Sequence, residues 1–144
     1  MEQRNKTDSI VIHCSQTPKS MDIGVDKIRE WHIDDRGWDD VGYHWIIKRD
    51  GTTEAARPED MSGAHAPKAN HRSVAICLIG GSQDDGTGWE NNFSEEQFKS
   101  LKDKVEDIQG RYEIQYIIGH NEIDDRKECP AFDVSEWVDK NGLV

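Results

Sequence analysis

Three side chains in this sequence combine donor chemistry with positions from which they could hold a metal: His13, His120 and Cys129. His13 directly follows the apolar run Ile10-Val11-Ile12, and His120 closes the run from Ile114 to Gly119. Side chains at the ends of neighbouring strands can converge on one cleft in an α/β fold, the usual place for a ligand. Cys129 stands in the polar, Pro-bounded segment Asn121 to Pro130, where a merely packed cysteine is out of place. Two imidazoles and one thiolate suit zinc, and three protein ligands leave the fourth tetrahedral position for water. Zinc would bring the pKa of that water to roughly 7, making it a nucleophile at neutral pH. Spacing alone leaves the alternative open that each histidine only satisfies hydrogen bonds at its strand end. The remaining histidines carry weaker signals. His32 falls on the apolar face of a predicted helix and reads as packing. His44 alternates with Tyr43 on a predicted strand, so the two point to opposite faces and one of them belongs to the core. His65 and His71 sit in a long loop, where substrate contact and plain solvation both remain open.

The elements that must position these groups follow from hydrophobic period and turn chemistry. Ile10 to Ile12 reads as a buried strand delivering His13, Cys14 and Ser15, with Cys14 pointing away from His13 into packing. From Gly24 to Arg36, Val25, Ile28, Trp31 and His32 recur at helical spacing, and Gly37 stands where that helix would stop. Tyr43 to Arg49 and Thr52 to Ala56 flank Asp50-Gly51, which predicts a hairpin on a two-residue turn. Pro58 to Arg72 shows no period and reads as a long loop. Val74 to Ile79 is almost wholly apolar and ends in Gly80-Gly81, as a central strand buried on both faces would, with Cys77 a small core residue. Ser82 to Asn92 is a polar loop, and Ser94-Glu95-Glu96-Gln97 then forms a capping box before Phe98, Leu101, Val105 and Ile108. Ile114 to Ile118 predicts a further strand, and Asp133-Val134-Ser135-Glu136 a second capping box opening a short helix. The expected fold class is therefore α/β: one domain over residues 1–144, a central mixed sheet of about five strands flanked by about three helices, with residues 1–8 flexible.

A chain of 144 residues has the length of one domain. Its formal net charge of −11 opposes attraction to phosphate backbones and anionic lipids, so neither nucleic acid nor a membrane is an expected partner. No run approaches the roughly 18 apolar residues of a membrane span. Met1 to Ser9 is polar where a secretory signal would be apolar, which points to a protein kept in the cytoplasm. Cys14, Cys77 and Cys129 are an odd number without close spacing, so reduced thiols are expected instead of a disulfide framework. Small size and an acidic surface make a monomer the default.

Several segments in register carry a resemblance. Ile10-Val11-Ile12-His13-Cys14-Ser15, Val41-Gly42-Tyr43-His44-Trp45-Ile46-Ile47, Arg49-Asp50-Gly51-Thr52, Gly63-Ala64-His65-Ala66, and Gly119-His120 with Lys127-Glu128-Cys129-Pro130 together resemble the zinc-dependent N-acetylmuramoyl-L-alanine amidases. These belong to the amidase-2 and peptidoglycan-recognition-protein superfamily, and the likeness is strongest to its single-domain phage endolysins. The resemblance implies an amidase-2-like fold and one zinc ion per chain on His13, His120 and Cys129. It implies catalytic roles for Tyr43 and Lys127 in stabilising the oxyanion, with the proton for the leaving amine coming from Tyr43 or from the metal-activated water. It further implies peptidoglycan as substrate, cut between N-acetylmuramic acid and L-alanine, and storage in the host cytoplasm until release to the cell wall. His65, Asn70 and Arg72 fall in the loop that borders the family's substrate groove and are candidate substrate contacts. Trp38 and Trp45 are weaker candidates for a sugar platform, since such indoles are usually core. The segment Asn121 to Arg126 departs from the phage pattern by being one residue longer and more acidic, which brings Glu122, Asp124, Asp125 and Glu128 near the metal ligands. Other members of the superfamily bind peptidoglycan without cutting it and usually lack the ligand cysteine, so Cys129 favours catalysis. Phage members also raise a phage RNA polymerase as a partner, for which this sequence offers no motif.

Overall fold

The computed structural model describes residues 1–143. Among the described residues seven strands form: β1 (Ser9–Cys14), β2 (Thr17–Pro18), β3 (Trp45–Ile47), β4 (Thr53–Ala55), β5 (Ser73–Leu78), β6 (Gly81–Ser82) and β7 (Tyr116–Gly119). Three α-helices accompany them: α1 (Val25–Arg29), α2 (Glu95–Gln109) and α3 (Val134–Lys140). Five strands make one mixed sheet in the order β4-β3-β5-β1-β7, and β2 pairs with β6 beside it. Within the large sheet β3, β5, β1 and β7 are parallel, and only the edge strand β4 is antiparallel. This is the α/β architecture the sequence predicts.

The period of two along the strands separates the two faces of the sheet. Ile10, Ile12, Ile76 and Leu78 meet Leu101, Val105 and Ile108 of α2 and Val134 and Val138 of α3 in one apolar layer. On the opposite face Ile46 and Cys77 pack against Ile28 of α1, and Val11 packs against Ala66 and Ala69 of the loop after Pro58. His13 follows Val11 by two residues and stands beside Cys77 in the register of β1 and β5, so it belongs to this second face. His13 thus lies on the face covered by α1 and a loop, away from the two helices that close the main core.

The predicted capping box at Ser94 is present, with the Ser94 hydroxyl accepting from the Gln97 N–H at 3.1 Å and Gln97 Oε1 accepting from the Ser94 N–H at 3.0 Å. Gln97 is fully buried and its Nε2 donates to the carbonyls of Ile47 and Ile79, so the cap also ties α2 to the sheet. At the third helix Asp133 accepts from the Glu136 N–H at 3.0 Å, which is half of the predicted box.

Four local expectations change. The helix predicted from Gly24 to Arg36 is α-helical only to Arg29 and continues as a π-helical stretch, Glu30–Asp35. The wider turn lets His32 Nδ1 accept the Gly42 N–H at 2.9 Å, with its ring 4.5 Å from Trp38 and 5.4 Å from Tyr43. Such stretches are frequent at functional sites. The hairpin turn carries three residues instead of two: Lys48 N–H donates to Thr52 O, Gly51 N–H donates to Lys48 O, and Gly51 takes φ of 90°, the left-handed position such a loop requires. The last strand begins only at Tyr116, because the Gln115 and Tyr116 N–H groups both turn to Asp8 O. Within residues 1–8, expected to be flexible, residues 2–4 make contacts with residues 60–62. Gln3 bridges Met61, Ser62 N–H donates to Glu2 O at 2.8 Å, and buried Arg4 donates to Met61 O at 3.1 Å.

Candidate metal centre

His13 ends the buried core of β1, and His120 opens a single 3-10 turn, His120–Glu122, directly after β7. The two strands are neighbours, which brings the rings to 4.6 Å between centroids. Cys129 returns to the same place through a compact loop. Glu122 Oε2 accepts the Gly119 N–H at 2.7 Å, Ile123 and Asp124 N–H both donate to His120 O, and Asn121 N–H donates to Cys129 O at 2.8 Å. Buried Cys129 then accepts the Cys14 N–H on its Sγ at 3.1 Å, and that Sγ lies 3.9 Å from His13 Nδ1. One donor atom from each of His13, His120 and Cys129 lies within 4.8 Å of the others.

The electrostatics suit a cation. Burial, followed by the neighbouring His65, His120 and His44, holds His13 well below the ordinary imidazole value. His120 is lowered by burial and by the Lys127 ammonium, against a small opposing effect of Asp124. Both imidazoles are therefore neutral near pH 7 and keep a lone pair. In the metal-free protein the adjoining Cys14 thiol and burial push the Cys129 thiol well above its usual value, so a metal must displace its proton on binding. Tetrahedral zinc bonds of about 2.0–2.3 Å put nitrogen and sulfur ligands on the order of 3.5 Å apart, close to the 3.9 Å found between His13 and Cys129. The donor set fits zinc.

Above these three residues opens a cavity of about 410 Å³, whose walls include Trp31, His32, Arg36, Trp38, Tyr43 and Lys127. The Tyr43 ring stands 5.1 Å from His13, and burial holds its phenol well above the ordinary value, so it keeps its proton and can donate. Lys127 lies exposed on a rim shared with a second, more open cavity of about 560 Å³, and Trp89 lines both.

The loop residues read from sequence as substrate contacts distribute differently. His65 lines the cavity, but its Nδ1 lies 2.8 Å from His13 Nε2 and its Nε2 lies 3.1 Å from Ser73 Oγ. Asn70 is turned to its own loop, its Oδ1 accepting the N–H groups of His65 and Ala66 at 2.9 Å each. Arg72 pairs with Asp8 at 2.6 and 2.9 Å and lies over the Tyr116 ring, beside a different surface pocket. Neither Asn70 nor Arg72 lines the cleft, because Asn70 is engaged within its own loop and Arg72 with Asp8 just before β1.

Residues 3–132 match the family model described as N-acetylmuramoyl-L-alanine amidase. The chain belongs to that family. It is 46% identical over 143 residues to the endolysin of Escherichia phage T7, covering 99% of this chain and 93% of that protein. Among solved structures it resembles the N-acetylmuramoyl-L-alanine amidase LysC from Clostridium intestinale, with 28% identity, a TM-score of 0.80 and coverage of 96% of this chain and 87% of that one. A variant of Drosophila PGRP-LB solved in complex with tracheal cytotoxin shares 27% identity and a TM-score of 0.76, covering 95% and 83% of the two chains.

The amidase cleft has walls the motifs did not announce. Trp31, Arg36 and Trp89 all line it. Trp89 is mounted on a short antiparallel bridge to Ser82, with Gln83 N–H donating to Gly88 O and Glu90 N–H to Gly81 O. A lone indole in a polar, glycine-bearing loop was the available signal. Of the two indoles weighed from sequence, Trp38 lines the cleft, whereas Trp45 donates to Glu59 at 2.8 Å and lies under Lys104, packed against the main core. Cys14 is buried as expected, yet it also borders the cleft through its N–H bond to Cys129. The acidic loop is partly neutralised in place: Glu122 caps Gly119 and Asp124 pairs with Arg126, leaving Asp125 and Glu128 exposed.

Proposed function

We propose that this amidase is a phage-type endolysin that holds one zinc ion on His13, His120 and Cys129 and hydrolyses the amide between N-acetylmuramic acid and L-alanine in peptidoglycan. The observation that carries this reading is the convergence of the three donors at the floor of the cavity that Tyr43 and Lys127 border. Zinc, when bound there, supplies a water of lowered pKa and polarises the scissile carbonyl. The protein's own groups do the rest. Tyr43, kept protonated by burial, offers its hydroxyl to the carbonyl oxygen or to the departing amine, and the Lys127 ammonium on the rim stabilises developing negative charge. His32 backs the Tyr43 ring and is itself backed by Trp38. The second cavity, reached past Trp89 and Lys127, gives an extended polymer room to continue beyond the cleaved bond.

The test is the chemistry of the cut. Incubated with purified peptidoglycan, the protein is expected to release new L-alanine amino termini and no new reducing sugar ends. Reducing ends without amino termini would make it a glycosidase and overturn the reading.

A further inference from the structure

His13 turns Nδ1 toward Cys129 and so has Nε2 left over. That nitrogen begins a chain of three contacts: His13 Nε2 to His65 Nδ1 at 2.8 Å, His65 Nε2 to Ser73 Oγ at 3.1 Å, and Ser73 Oγ to the Ala69 carbonyl at 2.7 Å. The last contact sets the direction of all the others. A carbonyl only accepts, so the Ser73 hydroxyl donates to Ala69 and its oxygen must accept from His65 Nε2–H. A neutral His65 then has a bare Nδ1, which accepts from His13 Nε2–H and leaves the lone pair of His13 on Nδ1, facing Cys129.

We infer that His65 is a positioning residue for the metal centre, forming with Ser73 a fixed hydrogen-bond chain that selects the His13 tautomer and holds its Nδ1 toward Cys129 and His120. The inference rests on the zinc reading above and replaces the substrate contact that the sequence suggests for His65. Several features are built around it. Asn70 holds the His65 backbone, and a Cβ at Gly63 would lie 2.5 Å from His65 Cδ2 and 2.9 Å from Gly42 O, so the ring has its place only because residue 63 is glycine. Ser73 is fully buried at the start of β5. Because the chain ends on a carbonyl, it cannot pass a proton onward: it is a lock and not a wire. Metal-ligating histidines usually donate their second N–H to a carboxylate, a carbonyl or water. An imidazole in that position orients the ligand without adding negative charge next to the metal.

Zinc dissociation constants measured by competition with a chromophoric chelator decide the matter. Removing such a supporting partner typically weakens metal binding about 10–100-fold, which is the loss expected for His65→Ala. Ser73→Ala should lose less, and the double variant no more than His65→Ala alone, since the chain is already broken. His65→Gln, whose amide can accept from His13 and donate to Ser73, should recover part of the loss. In cobalt-substituted protein the visible d–d bands should shift in His65→Ala. Zinc affinity within about two-fold of the parent in His65→Ala, with only the KM for peptidoglycan raised, would make His65 a substrate contact and overturn the inference. Should His65→Ala fail to fold, parent-like zinc affinity together with a parent-like cobalt spectrum in Ser73→Ala would overturn it equally. Failure of the zinc reading itself looks different, because the parent protein would then bind no zinc.

Discussion

Acid should destabilise the metal-free protein well above the pH at which carboxylates titrate, and two histidines outside the ligand set show by how much. His32 and His44 are both buried, and burial lowers each to about 4, in His32 helped by Arg36 and in His44 against a hydrogen bond to the Met61 carbonyl. In the unfolded chain the same groups titrate near 6.5. Between these values the unfolded state binds a proton that the folded state refuses, so the stability is fully present above about pH 6.5 and is lost as pH falls toward about 4. At about pH 5.5 each histidine forfeits about 1.4 kcal/mol, or about 3 kcal/mol for the pair, a large share of the 5–15 kcal/mol typical of a domain. At roughly 2–4 °C per kcal/mol this lowers Tm by about 10 °C between pH 7.5 and 5.5, before His13 and His65 add to it. Calorimetry in the presence of a chelator, which removes metal linkage, is the assay. His44→Gln should show a shallower pH dependence by one proton. A Tm that stays level from pH 7.5 to 5.5 would refute the burial of neutral imidazoles on which the site description depends.

Tyr43→Phe keeps the ring against His13 and removes only the hydroxyl, so kcat for amine release should fall about 10²–10³-fold with zinc content unchanged. Loss of zinc in that variant would mean that the tyrosine builds the site instead of acting in it. Lys127→Met, on the exposed rim, should likewise lower kcat at full zinc occupancy, and an undiminished rate would remove the ammonium from the mechanism. Arg57 is buried and donates to the carbonyls of Val41, Ser62 and Asp40, joining the segment that carries Tyr43 to the loop that carries His65. Arg57→Met leaves those carbonyls without a partner and is expected to cost about 3 kcal/mol in urea denaturation, with a change below about 1 kcal/mol counting against this role.

What the sequence made legible was whatever depends on neighbours along the chain. The strand-end positions of His13 and His120, the continuous apolar run of β5 and the Ser94–Gln97 capping box all rest on local pattern, and all are present in the fold. What stayed hidden depends on partners distant in sequence. From the π-helical stretch His32 reaches Gly42, ten residues on, and no hydrophobic period encodes that bond. Asn70 and Arg72 share a loop with His65, yet only the packing of that loop on β1 decides that one caps it and the other pairs with Asp8. The N-terminal residues look unstructured because their polar side chains carry no period, while their backbone bonds to residues 60–62 invoke none.

The most direct test of the metal centre is zinc content joined to activity in one preparation. The purified parent protein is expected to carry about one zinc per chain, to lose amine release on chelation and to regain it with added zinc, while Cys129→Ala is folded, metal-poor and inactive. A Cys129→Ala protein that retains zinc and cuts peptidoglycan at the parent rate would contradict the assignment of His13, His120 and Cys129 as the ligands.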